Sequence, residues 1–174
     1  MKDTNMDFNK FTIIAGPCLI ESEDMLRKTA EYLLNAVSKY DINFIFKSSY
    51  RKANRTSAGS FSGIGDEKAL GYLSKMKSEF NVPITTDVHT AEEAKWAGEF
   101  VDIIQIPAFL ARQSDIVIAA AETGKYVNIK KAQFMAPEDA IKAAQKSVQA
   151  GNNKVILTER GKFFGYHDLV VDYR

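Results

Sequence analysis

Short apolar runs alternate along the chain with longer stretches in which apolar residues recur every three or four positions. The runs are too short for helices and rich in β-branched and aromatic residues, which is typical of buried strands. Six strands are predicted, over Phe11–Ala15, Asn43–Phe46, Val82–Val88, Val101–Ile106, Tyr126–Lys130 and Lys154–Thr158. The stretches between them predict helices over about Glu23–Lys39, over about Asp66–Phe80, from Thr90, from Ser114 to Gly124 and from Pro137 to Gly151.

This alternation predicts an α/β fold in which helices cover parallel strands. An open doubly wound sheet and an eight-stranded β/α barrel both fit it. No glycine fingerprint of the dinucleotide-binding type follows any strand, which disfavours that version of the open sheet. Polar residues follow all six strands. We therefore favour the TIM (β/α)8 barrel, whose site draws on the ends of several strands.

The length bears on how much of a barrel is present. Complete barrels usually have about 250 residues, whereas this chain has 174. It holds about six β/α units, and the last helix is predicted to begin within Asp168–Arg174. We expect a single barrel domain over residues 1–174 that is truncated at its C-terminal side.

Composition narrows the possible classes of protein. The chain is 45% hydrophobic and 26% charged, with 23 basic and 22 acidic residues, which is an ordinary globular composition. Such balance argues against nucleic-acid binding through bulk positive charge, and no apolar run approaches the ~20 residues of a membrane span. Pro17, Asp3 and Asp7 are unsuited to a targeting segment, so we expect a cytoplasmic protein, in keeping with a single cysteine.

The segment Phe44–Ser57 is the richest in candidate chemistry. An apolar strand ends in Lys47, and the loop after it carries Arg51, Lys52 and Arg55 among hydroxyl and amide side chains. Cations and hydrogen-bond donors gathered at the end of a strand suit a phosphate or a carboxylate. The alternative is a solvated basic loop.

In a barrel, the C-terminal ends of the strands meet at one mouth. That geometry would bring together Cys18, Lys47, Lys52, Asp87, Gln105, Lys130 and Arg160. Four cations beside one carboxylate repel one another unless an anion joins them, which predicts a small polyanion such as a phosphorylated acid. The alternative is that each lysine reaches solvent. Cys18 has no partner at metal-ligand spacing, so spacing alone predicts no metal site.

Several segments resemble the 3-deoxy-D-manno-octulosonate 8-phosphate synthase family. They are Ile14–Ser22, Phe46–Ser57, Thr86–His89, Ile104–Gln113, Asn128–Phe134, Glu159–Gly161 and Phe164–Tyr166. The resemblance covers about Thr12 to Arg174, and its most specific part is the sequence Lys-Ala-Asn-Arg at positions 52–55. The related synthase of the aromatic pathway has Lys-Pro-Arg-Thr there.

The resemblance implies a transferase that condenses phosphoenolpyruvate with D-arabinose 5-phosphate in lipopolysaccharide (Kdo) biosynthesis, working as a homotetramer without a nucleic-acid or membrane partner. It implies that Lys47, Lys52, Asp87 and His89 are catalytic, and that Lys47 or Lys52 donates a proton. Lys52, Lys130 and Arg160 would hold phosphoenolpyruvate, in a pocket lined by Ser49, Ala108 and Gln133, with Gln105 also binding substrate. Asn54, Arg55 and Thr56 would hold the sugar phosphate, joined by Arg112 of a neighbouring subunit.

A cysteine at the position of Cys18 marks the metal-dependent branch of that family. The resemblance therefore implies a divalent metal such as zinc, iron or manganese, with Cys18 as one ligand. The other ligands of the family, a histidine, a glutamate and an aspartate, come from later strands that are absent here.

Three other functions compete with the one that the resemblance implies. The first is the aromatic-pathway synthase, which uses erythrose 4-phosphate and is disfavoured by Asn54; a sialic-acid-type synthase is more distant. The third is a non-catalytic domain that binds a phosphate sugar or RNA, with Phe44, Phe46 and Tyr50 stacking on bases. The balanced charge argues against this last function.

Overall fold

The computed structural model describes residues 6–54, 57, 59–163 and 165–171. Within these ranges, strands and helices alternate in the predicted order. The strands are β1 (Thr12–Ala15), β2 (Asn43–Lys47), β3 (Ile84–Asp87), β4 (Ile103–Ile106), β5 (Tyr126–Lys130), β6 (Val155–Thr158), β7 (Lys162–Phe163) and β8 (Leu169–Val170). The α-helices are α1 (Glu23–Val37), α2 (Asp66–Phe80), α3 (Ala91–Ala97), α4 (Ser114–Glu122) and α5 (Pro137–Gln149), with a 3-10 turn at Ala108–Leu110.

The first of two compact units comprises the described residues up to Asp87 together with Phe100–Asp102. Its three strands pair in parallel, β1 with β2 and β2 with β3, so that Lys47 lies opposite Thr85. Helices α1 and α2 pack against each other. The core is formed by buried side chains from both helices and from the strands, including Leu26, Ala30, Ile45, Phe46, Leu70, Leu73, Met76 and Ile84.

The second unit comprises Val88–Glu99 and the described residues from Ile103 onward. Strand β5 pairs in parallel with β4 on one side and with β6 on the other. Helix α4 packs against both α3 and α5. Because helix α4 is apolar around most of its circumference, it buries Ile116, Val117, Ala119, Ala120 and Ala121 between its neighbours.

Parallel strands joined by helices recur in both units, which confirms the predicted α/β class with β/α alternation of the barrel type. The description as a single domain stays a prediction. None of the helices in the described part of the chain combines the length and apolar character needed to cross a membrane.

The helix predicted to begin within Asp168–Arg174 is wrong for the residues that the structure describes. Leu169–Val170 instead pairs in antiparallel register with Lys162–Phe163. In the turn between the two strands, His167 has a left-handed backbone at φ 63°. The apolar Leu-Val-Val sequence is thus used as one strand of a short ribbon.

Candidate active site

Lys47 and Ser49 are placed by the chain that leaves β1. Gly16 packs so closely on the backbone of β2 that a Cβ there would overlap the carbonyl oxygen of Lys47. Beyond it, the Ile20 amide donates to the Ser49 carbonyl at 3.0 Å. Only glycine permits this approach, so the glycine after β1 determines where the end of β2 lies.

Three side chains of the first unit converge on the hydroxyl of Ser49. Lys47 Nζ and Lys52 Nζ donate to Ser49 Oγ at 2.9 Å and 2.8 Å, and Ser49 Oγ donates to Asp87 Oδ2 at 2.7 Å. The two ammonium nitrogens lie 3.5 Å and 3.8 Å from the same carboxylate oxygen. We call Lys47, Ser49, Lys52 and Asp87 the lysine–aspartate cluster.

The lysine–aspartate cluster is largely shielded from water but still holds one excess positive charge. Its charged side chains are between 12% and 17% exposed. In such a setting, charge interactions are stronger than at an open surface. Two ammonium groups against one carboxylate therefore favour an anion beside them, and this arrangement agrees with a phosphate or carboxylate substrate.

Backbone contacts hold the loop that carries Lys52. The Lys52 amide donates to the Ser62 carbonyl at 2.9 Å, and the amide of the fully buried Tyr50 donates to Thr86 Oγ1 at 3.3 Å. The lysine ammonium is thus presented from an anchored backbone. Of the other sites predicted in this unit, Asn54 and Cys18 are exposed, and Arg55 and Thr56 lie outside the described residues.

A row of polar side chains crosses the parallel strands β4, β5 and β6 of the second unit. Asn128 Nδ2 donates to Gln105 Oε1 at 3.3 Å, and Thr158 Oγ1 donates to Asn128 Oδ1 at 2.7 Å. Gln105 and Asn128 are buried. Gln105 was predicted to bind substrate, whereas Asn128 and Thr158 were read only as strand residues.

The other predicted sites of this unit lie in or near loops at strand ends. Lys130, half-buried at the end of β5, lies opposite Thr158, and the exposed Arg160 follows two residues later in the adjoining loop. Both cations therefore lie at the same end of a strand pair. Ala108 and Gln133 are buried and Arg112 is exposed. The buried Gln133 Oε1 has no hydrogen-bond partner among the residues that the structure describes.

His89 is held by Glu93, a residue of the first turn of α3. Glu93 Oε2 lies 2.9 Å from His89 Nδ1 and accepts from the His89 amide at the same distance. Thr90 caps the same helix, since Thr90 Oγ1 accepts from the Glu93 amide. The four-residue spacing was the available signal for this pairing. In the same turn, hydrogen bonds from the Glu92 amide and the Thr90 hydroxyl lower the pKa of the Glu92 carboxyl.

A metal ion would need several donor side chains grouped around it. Among the residues that the structure describes, no three histidine, cysteine, aspartate or glutamate side chains form a group that would hold a metal ion. Cys18 supplies one exposed thiol.

Comparison with known proteins gives consistent matches over most of the chain. Residues 6–172 match the model of the DAHP synthetase I family. The chain is 52% identical over 174 residues to a 2-dehydro-3-deoxyphosphooctonate aldolase of Koribacter versatilis, covering 100% of this chain and 63% of that protein. Proteins of the same name match from Syntrophobacter fumaroxidans (52% identity, 95% of this chain, 58% of the relative) and a Synechococcus species (50%, 94% and 57%). The chain thus spans about three fifths of the length of these curated relatives.

Proposed function

Since the chain belongs to the DAHP synthetase I family, we propose that the protein containing it condenses phosphoenolpyruvate with D-arabinose 5-phosphate and water. The products are 3-deoxy-D-manno-octulosonate 8-phosphate and inorganic phosphate. The names of its relatives support this activity. The observation that carries the proposal is the lysine–aspartate cluster, in which two ammonium groups share one hydroxyl and one carboxylate.

The reaction makes one carbon–carbon bond, and at carbon 2 it forms a carbon–oxygen bond to water and breaks the carbon–oxygen bond to phosphate. Carbon 3 of the enol attacks the sugar aldehyde carbon, whose oxygen takes up a proton. A water oxygen adds at carbon 2, and the phosphate then leaves from that carbon as the keto group forms. Negative charge grows on the aldehyde oxygen during the attack, so a fixed cation there stabilises the transition state more than the substrate.

Lys47 and Lys52 are the groups that we assign to this charge. Their nitrogens are nearly equivalent around Ser49 and Asp87, at 2.9 Å and 2.8 Å from the hydroxyl. A lysine ammonium group can also act as a general acid that donates a proton. The proposal therefore assigns the proton to this pair of lysines, with Asp87 and His89 directed at the sugar hydroxyls.

The remaining predicted residues divide between the two substrates. Phosphoenolpyruvate is assigned to Lys52, Lys130 and Arg160, with Ser49, Gln105, Ala108 and Gln133 lining its pocket; the sugar phosphate is assigned to Asn54, Arg55, Thr56 and Arg112. Burial of Gln105, Ala108 and Gln133 supports a lining role. The homotetramer, the cytoplasmic location and a divalent metal bound through Cys18 belong to the same proposal.

The test is phosphate release by the complete protein that carries this chain. We expect release from phosphoenolpyruvate only when D-arabinose 5-phosphate is also present, and loss of release in Lys52→Met. Lys68→Met is the matched control, because Lys68 is an exposed lysine of α2. Equal release with erythrose 4-phosphate would favour the aromatic-pathway reaction, and no release from a folded protein with either sugar would refute the proposal.

A further inference from the structure

Lys131, the neighbour of Lys130, is buried and has an unusual set of partners. Its side chain is 7% exposed. Its ammonium group donates to the carbonyl oxygens of Gly161 at 2.9 Å, Ala132 at 3.3 Å and Met135 at 3.4 Å. An ammonium group removed from water costs several kcal/mol unless such partners compensate it. The position of these carbonyls is therefore tied to the lysine.

Glu159 closes the same group of contacts from the loop after β6. Its Oε1 accepts from the Gly161 amide at 2.5 Å and lies 3.4 Å from Lys131 Nζ. Gly161 thus uses both its amide and its carbonyl in this group. Glu159 and Gly161 are the two residues on either side of Arg160, so the backbone that carries Arg160 is held from both sides.

Two backbone hydrogen bonds join the same loops. The Lys131 amide donates to the Thr158 carbonyl at 2.9 Å, and the Phe163 amide donates to the Gln133 carbonyl at 3.1 Å. Consecutive residues of an extended chain point to opposite sides. Lys131 is thus turned away from the side that Lys130 faces, and it acts on the loops rather than on a substrate.

We propose that Lys131 is a positioning residue, which acts through Glu159 and the Gly161 carbonyl to hold Arg160 in place for the phosphate of phosphoenolpyruvate. The inference rests on the proposed function, because Arg160 is assigned there to phosphoenolpyruvate. The proposal predicts that replacing Lys131 changes the KM for phosphoenolpyruvate and leaves the KM for the sugar phosphate unchanged. The sugar phosphate is assigned to residues outside these two loops.

The experiment measures kinetics of the complete protein with Lys131→Met, Lys131→Arg and Glu159→Gln. We expect Lys131→Met to raise the KM for phosphoenolpyruvate about tenfold or more, since small displacements of a substrate-binding group have effects of this size. The KM for D-arabinose 5-phosphate should stay unchanged. Lys131→Arg should recover part of the loss, and Glu159→Gln should act in the same direction as Lys131→Met.

The control is Lys142→Met, because Lys142 is an exposed lysine whose partner, Asp139, lies 3.2 Å away on the same helix. An unchanged KM for phosphoenolpyruvate in folded Lys131→Met, or equal changes for both substrates, would overturn the proposal. If Lys131→Met does not fold, Lys131→Arg and Glu159→Gln decide by the same criterion.

A second readout separates this inference from the proposed function. Hydrogen exchange at the Gly161 and Phe163 amides should be faster in Lys131→Met than in Lys142→Met, whether or not the protein turns over these substrates. A wild-type protein without phosphate release would refute the proposed function alone. Equal exchange rates in the two variants would overturn the positioning role alone.

Discussion

Ser49 shows at the scale of one residue how the cluster is organised. A serine hydroxyl has one hydrogen to donate and two lone pairs that accept. In the cluster, all three are used, because Ser49 donates to Asp87 and accepts from Lys47 and Lys52. The hydroxyl therefore holds two like charges close together without itself carrying charge, while both ammonium nitrogens stay in ion-pair contact with Asp87 Oδ2, at 3.5 Å and 3.8 Å.

Replacing Ser49 by alanine should lower both catalysis and stability. The two ammonium groups lose a shared acceptor and the buried Asp87 loses a donor, which we expect to cost about 1–3 kcal/mol of unfolding free energy. Because both lysines are then free to shift, kcat/KM should fall about hundredfold. Steady-state kinetics of the complete protein measures kcat/KM, and thermal unfolding measures the loss of stability.

The neighbouring Ser48→Ala variant is the matched control for Ser49→Ala. Ser48 is equally buried, but its hydroxyl donates to the Pro17 carbonyl at 2.9 Å and takes no part in the cluster. Its loss should lower stability by about 1 kcal/mol and leave kcat/KM near the wild-type value. Similar kinetic losses in both variants would show that Ser49 acts through the fold and not through the lysines.

Residue patterns predicted which charges belong together, but not how they are connected. Lys47, Lys52 and Asp87 follow strand ends, and their convergence follows from parallel pairing alone. The shared hydroxyl of Ser49, the Glu93 contact to His89 and the burial of Lys131 depend on loop paths and rotamers. These contacts and this burial do not recur at regular spacing along the sequence, so the hydrophobic pattern could not predict them.

Helices α1 and α3 both begin with a capping hydroxyl, but only the cap of α3 is connected to a predicted catalytic residue. Ser22 Oγ accepts from the Met25 amide at 3.1 Å at the start of α1. Thr90 Oγ1 accepts from the Glu93 amide at 3.1 Å at the start of α3. Only the second cap involves a residue whose carboxylate also contacts a predicted catalytic side chain, His89.

Alanine at each cap should therefore separate stability from activity. Loss of a capping hydroxyl costs about 1 kcal/mol, so Ser22→Ala and Thr90→Ala should lower the free energy of unfolding by similar amounts. Thr90→Ala should in addition lower kcat, because Glu93 then holds His89 less firmly. Chemical denaturation and steady-state rates measure both effects. A normal kcat in Thr90→Ala would show that the cap of α3 does not position His89.

Most strands and helices could be predicted because their apolar periods are clear, whereas the ribbon of β7 and β8 could not. Each of its strands has two residues, too few for a period to be recognised. Leu169–Val170 also continues an apolar run that fits the start of a helix equally well. The pairing with Lys162–Phe163 is a tertiary feature that overrides this local pattern.

At the scale of the whole molecule, the match to the family and the extent of the chain bear on different claims. The match covers residues 6–172, so the α/β class and the order of elements rest on nearly the whole chain. The chain corresponds to 63% of the Koribacter relative. Claims that need the rest of such a protein, above all the metal and the tetramer, therefore have to be tested on the complete protein.

The metal claim has a sharp test, because Cys18 lies beside the cluster without belonging to it. Leu19, the next residue, pairs with Ser49 in a parallel bridge, and the Cys18 thiol is exposed there. If Cys18 is a ligand, Cys18→Ala should lose bound divalent metal and phosphate release together, as measured by elemental analysis and by activity with a chelator. Cys18→Asn should recover some activity without metal, because the metal-independent branch of the family that the sequence resembles has asparagine at this position. Metal retained in Cys18→Ala, or full wild-type activity in chelator, would contradict the assignment and leave the lysine–aspartate cluster to carry the chemistry.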